Sequence, residues 1–164
     1  MGYTGHIITA KSARPLTDAA ALSQYGSEIL DVAGVPGGWQ RCSIAGAFPD
    51  DMDKTAEALA AETDGPVIAA TFLDSDCAMV SAAMPGSANS WNTYIHPDTA
   101  LSFGAPPLPH TITQIADMAS AWASASGLDP DHEAICELLE AHGTFAEDIF
   151  SELLIALGIT EPAS

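Results

Sequence analysis

The last third of the chain carries three consecutive sets of helix start and stop signals, and these constrain the fold more than any other feature. A capping box or a proline at the first helical position begins each set, as in Thr111-x-x-Gln114, Asp129-Pro130 and Thr144-x-x-Glu147. A glycine ends each set, at Gly127, Gly143 and Gly158. Apolar residues recur between these signals at helical spacing. The pattern predicts three helices within 111–158, each with a wide apolar face that has to be covered.

The first two-thirds of the chain indicate short strands with helices between them. Five apolar segments bounded by turn residues are predicted as strands, namely 5–10, 39–48, 67–73, 77–84 and 91–95. A helix is predicted over 50–63, because clustered aspartates suit the positive end of a helix dipole. A further helix is expected somewhere within 17–32. The triplet Asp74-Ser75-Asp76 separates two apolar runs and predicts an antiparallel hairpin.

Together these elements predict a single α+β domain over 1–164. Strands joined by short links favour an antiparallel, meander-like sheet. A mixed strand and helix part covers 1–96, a proline-rich connector covers 97–110, and the three helices at 111–158 are expected to pack on the sheet. The C-terminal helices alone would bury too little surface to form a stable separate domain.

The charge of the chain is distributed unevenly. The net charge is −18 on 164 residues, and the four basic residues all precede residue 55, at Lys11, Arg14, Arg41 and Lys54. A strong negative field repels nucleic acid and anionic membranes, and it attracts cations and basic proteins. We therefore expect no nucleic-acid or membrane partner, and a basic protein as the partner that suits this charge.

The sequence shows no signal for export or membrane insertion. The N-terminal segment lacks a charged region followed by an apolar run. No apolar stretch approaches the 18 residues expected of a spanning helix. The cysteines Cys42, Cys77 and Cys136 are far apart and form no C-x-x-C pair, which is typical of reduced thiols. These features predict a cytoplasmic protein.

One acidic pattern is not explained by local helix physics. Glu133, Glu137 and Glu140 follow one another at i, i+4 and i+7, so they share one face of the second C-terminal helix. Like charges at this spacing cost about 0.2–0.5 kcal/mol per pair, and no basic residue is near in sequence. A basic partner that neutralises them is one interpretation. The alternatives are an ordinary solvated face, or the proteome-wide acidity of an organism with a saline cytoplasm.

Metal and cofactor sites find little support in the sequence. The segment 129–140 places acids at the first, third, fifth and twelfth positions of a calcium loop. However, Ala134 stands where such a loop needs glycine, and the same segment carries a helical apolar stripe. His132-Glu133 lacks a second histidine at zinc-binding spacing, and no phosphate loop or dinucleotide fingerprint is present. We expect neither a metal nor a cofactor.

A second group of candidate residues surrounds the predicted hairpin. Asp74 and Asp76, next to Cys77, form a compact cluster in which paired carboxylates could hold a cation. His96 and His110 bracket the proline-rich connector and could face the same cleft. An Asp-Ser-Asp triplet is also what an ordinary turn prefers, so a purely structural role is the alternative.

Four stretches of the chain resemble a group of small acidic proteins from high-GC actinobacterial genomes, namely GHIITAKSARPL, FLDSDCAMVSAAMPG, GAPPLPH and FAEDIFSELLIALGI. No activity is attached to that group. The resemblance therefore implies an uncharacterised acidic protein and transfers no functional residue to this chain.

Two functional hypotheses follow from the sequence. The first is a non-enzymatic binding protein, in its most specific form an immunity-type inhibitor that covers a basic toxin or enzyme. Its candidate binding residues are Glu133, Glu137, Glu140, Asp74 and Asp76. The second is a small hydrolase or metal-dependent enzyme with a site near Asp74, Asp76, His96 and His110.

A structural or regulatory subunit that forms a homodimer is the remaining alternative from the sequence. It would use an apolar patch on the last helix, along Phe145, Ile149 and Leu153, if these side chains are exposed in the monomer.

Overall fold

The fold is a six-stranded antiparallel sheet with helices on both faces. A computed structural model describes residues 4–23, 29–35, 37–45, 52–87, 89–141 and 145–159. The strands are β1 (Gly5–Lys11), β2 (Ile29–Val35), β3 (Trp39–Ala45), β4 (Val67–Leu73), β5 (Cys77–Ala83) and β6 (Trp91–Ile95). The helices are α1 (Met52–Thr63), α2 (Pro97–Ser102), α3 (Ile112–Ala125), α4 (His132–Leu139) and α5 (Ala146–Leu157). The predicted α+β class and the three C-terminal helices are confirmed.

The spatial order of the strands is β2-β3-β1-β4-β5-β6, so β1 lies inside the sheet between β3 and β4. The first six residues of both β1 and β4 are buried without interruption. Successive side chains of a strand point to opposite faces of the sheet. A strand is therefore buried throughout only where both faces are covered, and these two strands require a helical layer on each side.

The helices α3, α4 and α5 cover one face of the sheet, and we call them the three-helix layer. Trp122 of α3 is fully buried in this interface. Its ring packs on the rings of Trp39 and Trp91, with centroid distances of 6.1 and 6.3 Å. The Trp122 Nε1–H donates a hydrogen bond of 3.1 Å to the carbonyl oxygen of Ala83. The three tryptophans thus join α3 to the sheet at β3, β5 and β6.

The opposite face of the sheet is covered by α1 and by the segment that follows β1. Leu59 of α1 packs in one buried cluster with Ile8 of β1 and Ile44 of β3. Leu16 and Leu22, from the segment between β1 and β2, complete this cluster. The short helix α2 closes the remaining part of this face, where Ala100 packs with Cys77 and Tyr94.

The capping box that starts α3 is confirmed, whereas α4 starts at His132, two residues after the Pro130 that was predicted as its first position. Thr111 and Gln114 form a reciprocal capping box, with N···O distances of 3.2 and 2.9 Å. Asp131 caps α4 by accepting a hydrogen bond of 3.1 Å from the Ala134 N–H. Gly158 ends α5 with a φ of 100°, a conformation that favours glycine. The predicted positions 46–51 and 142–144, which include Gly143 and Thr144, lie outside the described residues.

Two other parts of the sequence prediction are wrong. In the described residues of 17–32, the expected helix is replaced by 3-10 turns, the first at Leu16–Asp18, and by β2, whose backbone pairs with β3 from Ile29. Leu16, Ala19 and Leu22 are buried at a spacing of three residues, the 3-10 period, which differs from the α-helical one. The proline-rich connector contains α2, whose first residue, Pro97, suits a helix start.

Two neighbouring positions test the orientation of α5. Leu153 is 1% exposed in the core, whereas Ile155 is 52% exposed. We expect Leu153→Ala to lower the free energy of unfolding by about 2–5 kcal/mol, because it leaves a cavity. Ile155→Ala removes an exposed side chain and should change it by less than about 0.5 kcal/mol. Urea denaturation followed by circular dichroism measures both values, and equal losses would contradict the orientation.

Candidate functional site

The outer surface of α4 is acidic. Glu133, Glu137 and Glu140 are all exposed, because Ile135 and Leu139 direct the opposite side of this helix into the core. No lysine or arginine occurs after residue 54. The three-helix layer therefore supplies no cationic side chain other than histidine to offset these charges. The structure brings together the three glutamates on which the binding hypothesis rests.

A histidine joins this acidic surface to the neighbouring helix. His132 Nε2 of α4 lies 2.7 Å from Asp117 Oδ1 of α3, and both side chains are largely exposed. His132 Nδ1 lies 3.9 Å from Cys136 Sγ, one helical turn further along α4. The acidic surface of α4 thus continues onto α3 through Asp117.

The thiol of Cys136 lies within the field of these acids. Partial burial raises the pKa of Cys136, and the negative charges of Glu140, Asp117 and Glu133 raise it further. Because a negative neighbour disfavours the thiolate, the pKa of Cys136 depends on the charge of the surface around it.

The helix α5 adds a row of exposed charged and apolar side chains to the same layer, and we call this row the α5 stripe. Asp148 and Glu152 are exposed at one helical turn from each other, and an exposed apolar side chain lies at either end of this stripe. These end residues are Phe145, 62% exposed, and Ile155, 52% exposed. An aromatic and an aliphatic side chain beside carboxylates give this surface both apolar and charged contacts to offer a partner.

The apolar patch expected for a homodimer has a different composition from the prediction. Only Phe145 of the three residues is exposed, since Ile149 and Leu153 are each 1% exposed and belong to the core. Positions 149 and 153 lie one turn apart on the side of α5 that faces the sheet. The continuous patch along Phe145, Ile149 and Leu153 is therefore not present.

The predicted hairpin connects β4 to β5, and its backbone is held by the rest of the fold. Asp74 and Ser75 have φ values of 52° and 60°, which suit a tight turn. Ser75 is buried, its hydroxyl donates to Glu147 Oε1 at 2.8 Å, and its carbonyl oxygen accepts from the Ala146 N–H at 2.9 Å. These contacts tie the turn to the first residues of α5. The triplet therefore has the structural role that a turn prefers.

The candidate carboxylates of this hairpin are exposed on either side of Ser75. Asp74 and Asp76 are both exposed, and His96 Nδ1 lies 2.6 Å from the carbonyl oxygen of Asp76. The contact between His96 and Asp76 thus involves the Asp76 backbone. Cys77 is buried, and burial together with the charge of Asp76 raises the pKa of its thiol. A thiol with a raised pKa is a poor nucleophile at neutral pH.

His110 lies in a different part of the molecule. It lines a cleft with Ser81 and Asn92, and none of Asp74, Asp76 and His96 is among the residues that line it. Along β5, about 16 Å of extended chain separates residue 76 from Ser81. The structure brings Asp76 and His96 together, and it places His110 with other polar residues.

The cleft beside His110 was not predicted from the sequence, and we call it the β5–β6 cleft. It consists of two adjoining openings of about 270 and 340 Å³ that share four lining residues, Asp53, Ser81, Asn92 and Pro109. The helix α1 forms one wall, and the proline-rich segment 106–109 forms the other. Ser81 and Asn92 are cross-strand partners in the β5–β6 pair, so both project into the same space.

Two hydrogen bonds hold the walls of the β5–β6 cleft. The Ser81 hydroxyl donates to Asp53 Oδ1 and so joins β5 to the first turn of α1. The Tyr94 hydroxyl donates to the carbonyl oxygen of Pro106 at 2.6 Å and joins β6 to the proline-rich segment. Burial raises the pKa of Tyr94, and the negative charge of Asp53 raises it further. The charge of Asp53 therefore acts on the Tyr94 hydroxyl across the cleft.

The sequence contains one signal for this cleft. Ser81 of β5 and Asn92 of β6 are polar residues that form a cross-strand pair on the face of the sheet that α1 covers. Asp53, which the sequence indicated only as a favourable charge at a helix start, accepts a hydrogen bond from Ser81. Polar side chains on a covered face of a sheet require hydrogen-bond partners, and Asp53 is such a partner.

The described part of the chain contains neither a metal-binding cluster nor a membrane-spanning helix. Within those residues, no group of three or more His, Cys, Asp or Glu side chains is arranged to hold a metal ion. In the same ranges, no helix has the length and apolar character needed to cross a bilayer.

The thiol of Cys136 offers a test of the acidic surface. We expect the double variant Glu133→Gln, Glu140→Gln to lower the pKa of Cys136, because two of the charges that disfavour the thiolate are gone. The pH dependence of its alkylation by iodoacetamide, followed by mass spectrometry at this residue, measures the shift. The control variant Asp18→Asn, Asp98→Asn removes the same net charge from the opposite layer. An equal shift in the control would mean that the effect is not local.

The hydroxyl of Tyr94 offers a test of the β5–β6 cleft. Asp53→Asn removes the neighbouring negative charge, so we expect the pKa of Tyr94 to fall while burial keeps it above its ordinary value. Ultraviolet titration, with Tyr94→Phe to identify the signal, measures the change. Asp98→Asn serves as the control with the same loss of charge. If the pKa of Tyr94 were the same with and without Asp53, the two side chains would not share this cleft.

Comparison of the chain with models of known protein families, with curated proteins and with solved structures gave no match. The function therefore has to be argued from the surfaces and clefts that this chain itself forms.

Proposed function

We propose that this protein acts by binding a basic protein through its three-helix layer. One observation carries the proposal: the exposed carboxylates of this layer have no lysine or arginine among them, because the chain contains none after residue 54. A surface of one sign attracts a partner of the opposite sign, raises the rate of encounter and suppresses wrong partners.

The energetics of α4 support a partner of opposite charge. Glu133, Glu137 and Glu140 repel one another by about 0.2–0.5 kcal/mol per pair in the free protein. A cationic side chain that lies between them replaces repulsion by attraction. Each exposed ion pair contributes only about 0–1 kcal/mol, so several pairs are required for useful affinity. Charge here mainly sets the rate of association and the choice of partner.

Apolar contacts next to the charges add binding free energy, of which exposed ion pairs contribute little. Phe145 and Ile155 are the exposed apolar side chains of the α5 stripe, and Asp148 and Glu152 lie between them. Energetically dominant residues in protein interfaces are commonly aromatic or apolar side chains surrounded by a polar rim. The stripe offers this combination within three turns of one helix.

The same charge argues against a symmetric homodimer through this layer. In a two-fold dimer the same patch faces itself, so the glutamates of α4 would oppose each other. No lysine or arginine of the layer is available to relieve that repulsion. The partner is therefore a different protein, and the most specific form of the proposal is an immunity-type inhibitor that covers a basic toxin or enzyme.

A pull-down from a lysate of the native host, with matched bait variants, tests this proposal. The bait variants are Glu133→Gln/Glu137→Gln/Glu140→Gln and, as a control, Asp18→Asn/Asp64→Asn/Asp98→Asn, which removes the same charge from exposed sites outside the three-helix layer. We expect the unaltered protein and the control to capture the same basic protein, and the α4 variant to capture several-fold less. Capture should also weaken at about 0.5 M salt, where the Debye length is about 4 Å.

The matched control decides the outcome. If both variants lose the captured protein equally, net charge and not the three-helix layer governs binding, and the proposal is wrong. Capture that is insensitive to both the α4 variant and salt contradicts it as well. With the purified partner, loss of the partner's activity on adding this protein supports the inhibitor form. Unchanged activity contradicts that form.

A further inference from the structure

A thiol, an imidazole and a carboxylate form a chain of contacts across α3 and α4. Cys136 and His132 lie one helical turn apart on α4, and Asp117 belongs to α3. His132 Nδ1 lies 3.9 Å from Cys136 Sγ, and His132 Nε2 lies 2.7 Å from Asp117 Oδ1. A nucleophile beside a base that is itself held by a carboxylate is an arrangement by which proteins activate thiols. The proposed protein partner makes no use of this chemistry.

The contact with Asp117 decides which nitrogen of His132 faces the thiol with a lone pair. A carboxylate accepts a hydrogen bond, so the neutral imidazole carries its proton on Nε2 and donates it to Asp117. Nδ1 is then free of a proton on the side of Cys136. When the thiol proton moves to Nδ1, Asp117 lies against the positive charge that the ring acquires. His132 is therefore the proton acceptor, and Asp117 is a positioning residue.

Cys136 is the most accessible of the three thiols. Cys42 and Cys77 are buried, whereas Cys136 is only partly buried. The side chains of His132 and Asp117 are 45% and 66% exposed, so all three groups lie at the surface of the three-helix layer. A small molecule can therefore approach the sulfur and the imidazole together.

The surroundings of Cys136 keep its proton on the sulfur in the resting protein. Burial raises the pKa of this thiol, and the charges of Glu140, Asp117 and Glu133 raise it further. The thiolate is the species that attacks a disulfide. Reaction at neutral pH therefore depends on a neighbouring base that takes the proton, and His132 is placed to do so.

The same acids select the reactant by its charge. Glu133 and Glu140 are exposed on α4, and no lysine or arginine occurs after residue 54. A negative field raises the local concentration of cations and lowers that of anions. We propose that Cys136 is a site of thiol–disulfide exchange with small, positively charged disulfides, and that His132 accepts its proton.

The exchange balances in atoms and electrons with the disulfide as the oxidant. The thiol proton moves to His132 Nδ1, and the thiolate of Cys136 attacks one sulfur of the disulfide. The bond from Cys136 Sγ to that sulfur forms as the original S–S bond breaks. The leaving thiolate takes the proton from His132 and departs as a thiol. Cys136 is thereby oxidised to a mixed disulfide, and the departing half of the reagent is reduced.

Cystamine, a small disulfide that carries an ammonium group at each end, is the probe for this site. Mass spectrometry follows the mixed disulfide at Cys136 at neutral pH, with the uncharged hydroxyethyl disulfide as the comparison. Each rate is divided by the rate of the uncharged thiol N-acetylcysteine amide with the same reagent, which removes the intrinsic difference between the reagents. We expect a corrected preference for cystamine of about fivefold or more at low salt. It should shrink at about 0.5 M salt, where the Debye length is about 4 Å.

Two variants with the same loss of charge separate proton transfer from electrostatics, and the uncharged disulfide is used for both. Glu140→Gln should speed the reaction by about twofold, because it removes a charge that disfavours the thiolate. Asp117→Asn also removes such a charge, but it should slow the reaction by about fivefold, because the Nε2–H is no longer held by a carboxylate. His132→Gln removes the base and should slow it by about tenfold or more. Circular dichroism verifies that each variant is folded.

Three outcomes would overturn the inference. If Glu140→Gln and Asp117→Asn both speed the reaction, charge alone governs Cys136 and the imidazole takes no part. Equal corrected rates for cystamine and the uncharged disulfide would mean that the acids do not select the reactant. An unchanged rate in His132→Gln would show that the thiol loses its proton directly to water. The binding of a basic protein is tested separately by the pull-down, and none of these rates decides it.

Discussion

The rest of the structure depends on the burial of β1 and β4 on both faces of the sheet. Their six-residue buried runs leave no face of the central sheet open to water, so a helical layer has to lie on each side. The layers differ in how they meet this requirement. The three-helix layer uses large side chains around Trp122, whereas the opposite side uses α1, the short helix α2 and the turn near Leu16. The sparser cover on the α1 side leaves the space in which the β5–β6 cleft forms.

The distribution of charge follows from the same two layers. Because the basic residues all precede residue 55, they can lie only on the early strands, their connections and the start of α1. The three-helix layer comes entirely from the later part of the chain and so carries acids without lysine or arginine. The uneven distribution of basic residues along the sequence thus places an acidic surface without lysine or arginine on one side of the sheet. The acidity is therefore a property of that surface and not only of the composition.

The elements with local signals could be predicted from the sequence, and those set by pairing could not. The capping box at Thr111 and the positive-φ turn at Asp74 depend on neighbouring residues, so α3 and the β4–β5 hairpin were predicted correctly. The strand β2 exists because β3 is available to pair with it, and no local pattern distinguished it from a helix. Tertiary pairing overrides local propensity at such positions.

The candidate sites also divide into one that local sequence spacing predicts and one that depends on tertiary packing. The acidic face of α4 could be predicted because helical spacing alone places Glu133, Glu137 and Glu140 together. The cleft could not, because Asp53 and Ser81 are 28 residues apart and meet only through the packing of α1 on β5. His110 was recognised as a candidate but was assigned to the wrong neighbours, since the direction of the connector decides which strand end it reaches.

The three-helix layer and the β5–β6 cleft both lack lysine and arginine, but their charges act over different distances. The three-helix layer acts through a field that extends beyond contact and is screened by salt within a Debye length. In the β5–β6 cleft, the carboxylate of Asp53 acts at contact distance, because it accepts a hydrogen bond from the Ser81 hydroxyl. Salt therefore weakens the encounter of the layer with a charged partner more than it weakens this contact within the cleft. That difference follows from distance, since groups closer together than a Debye length are screened least.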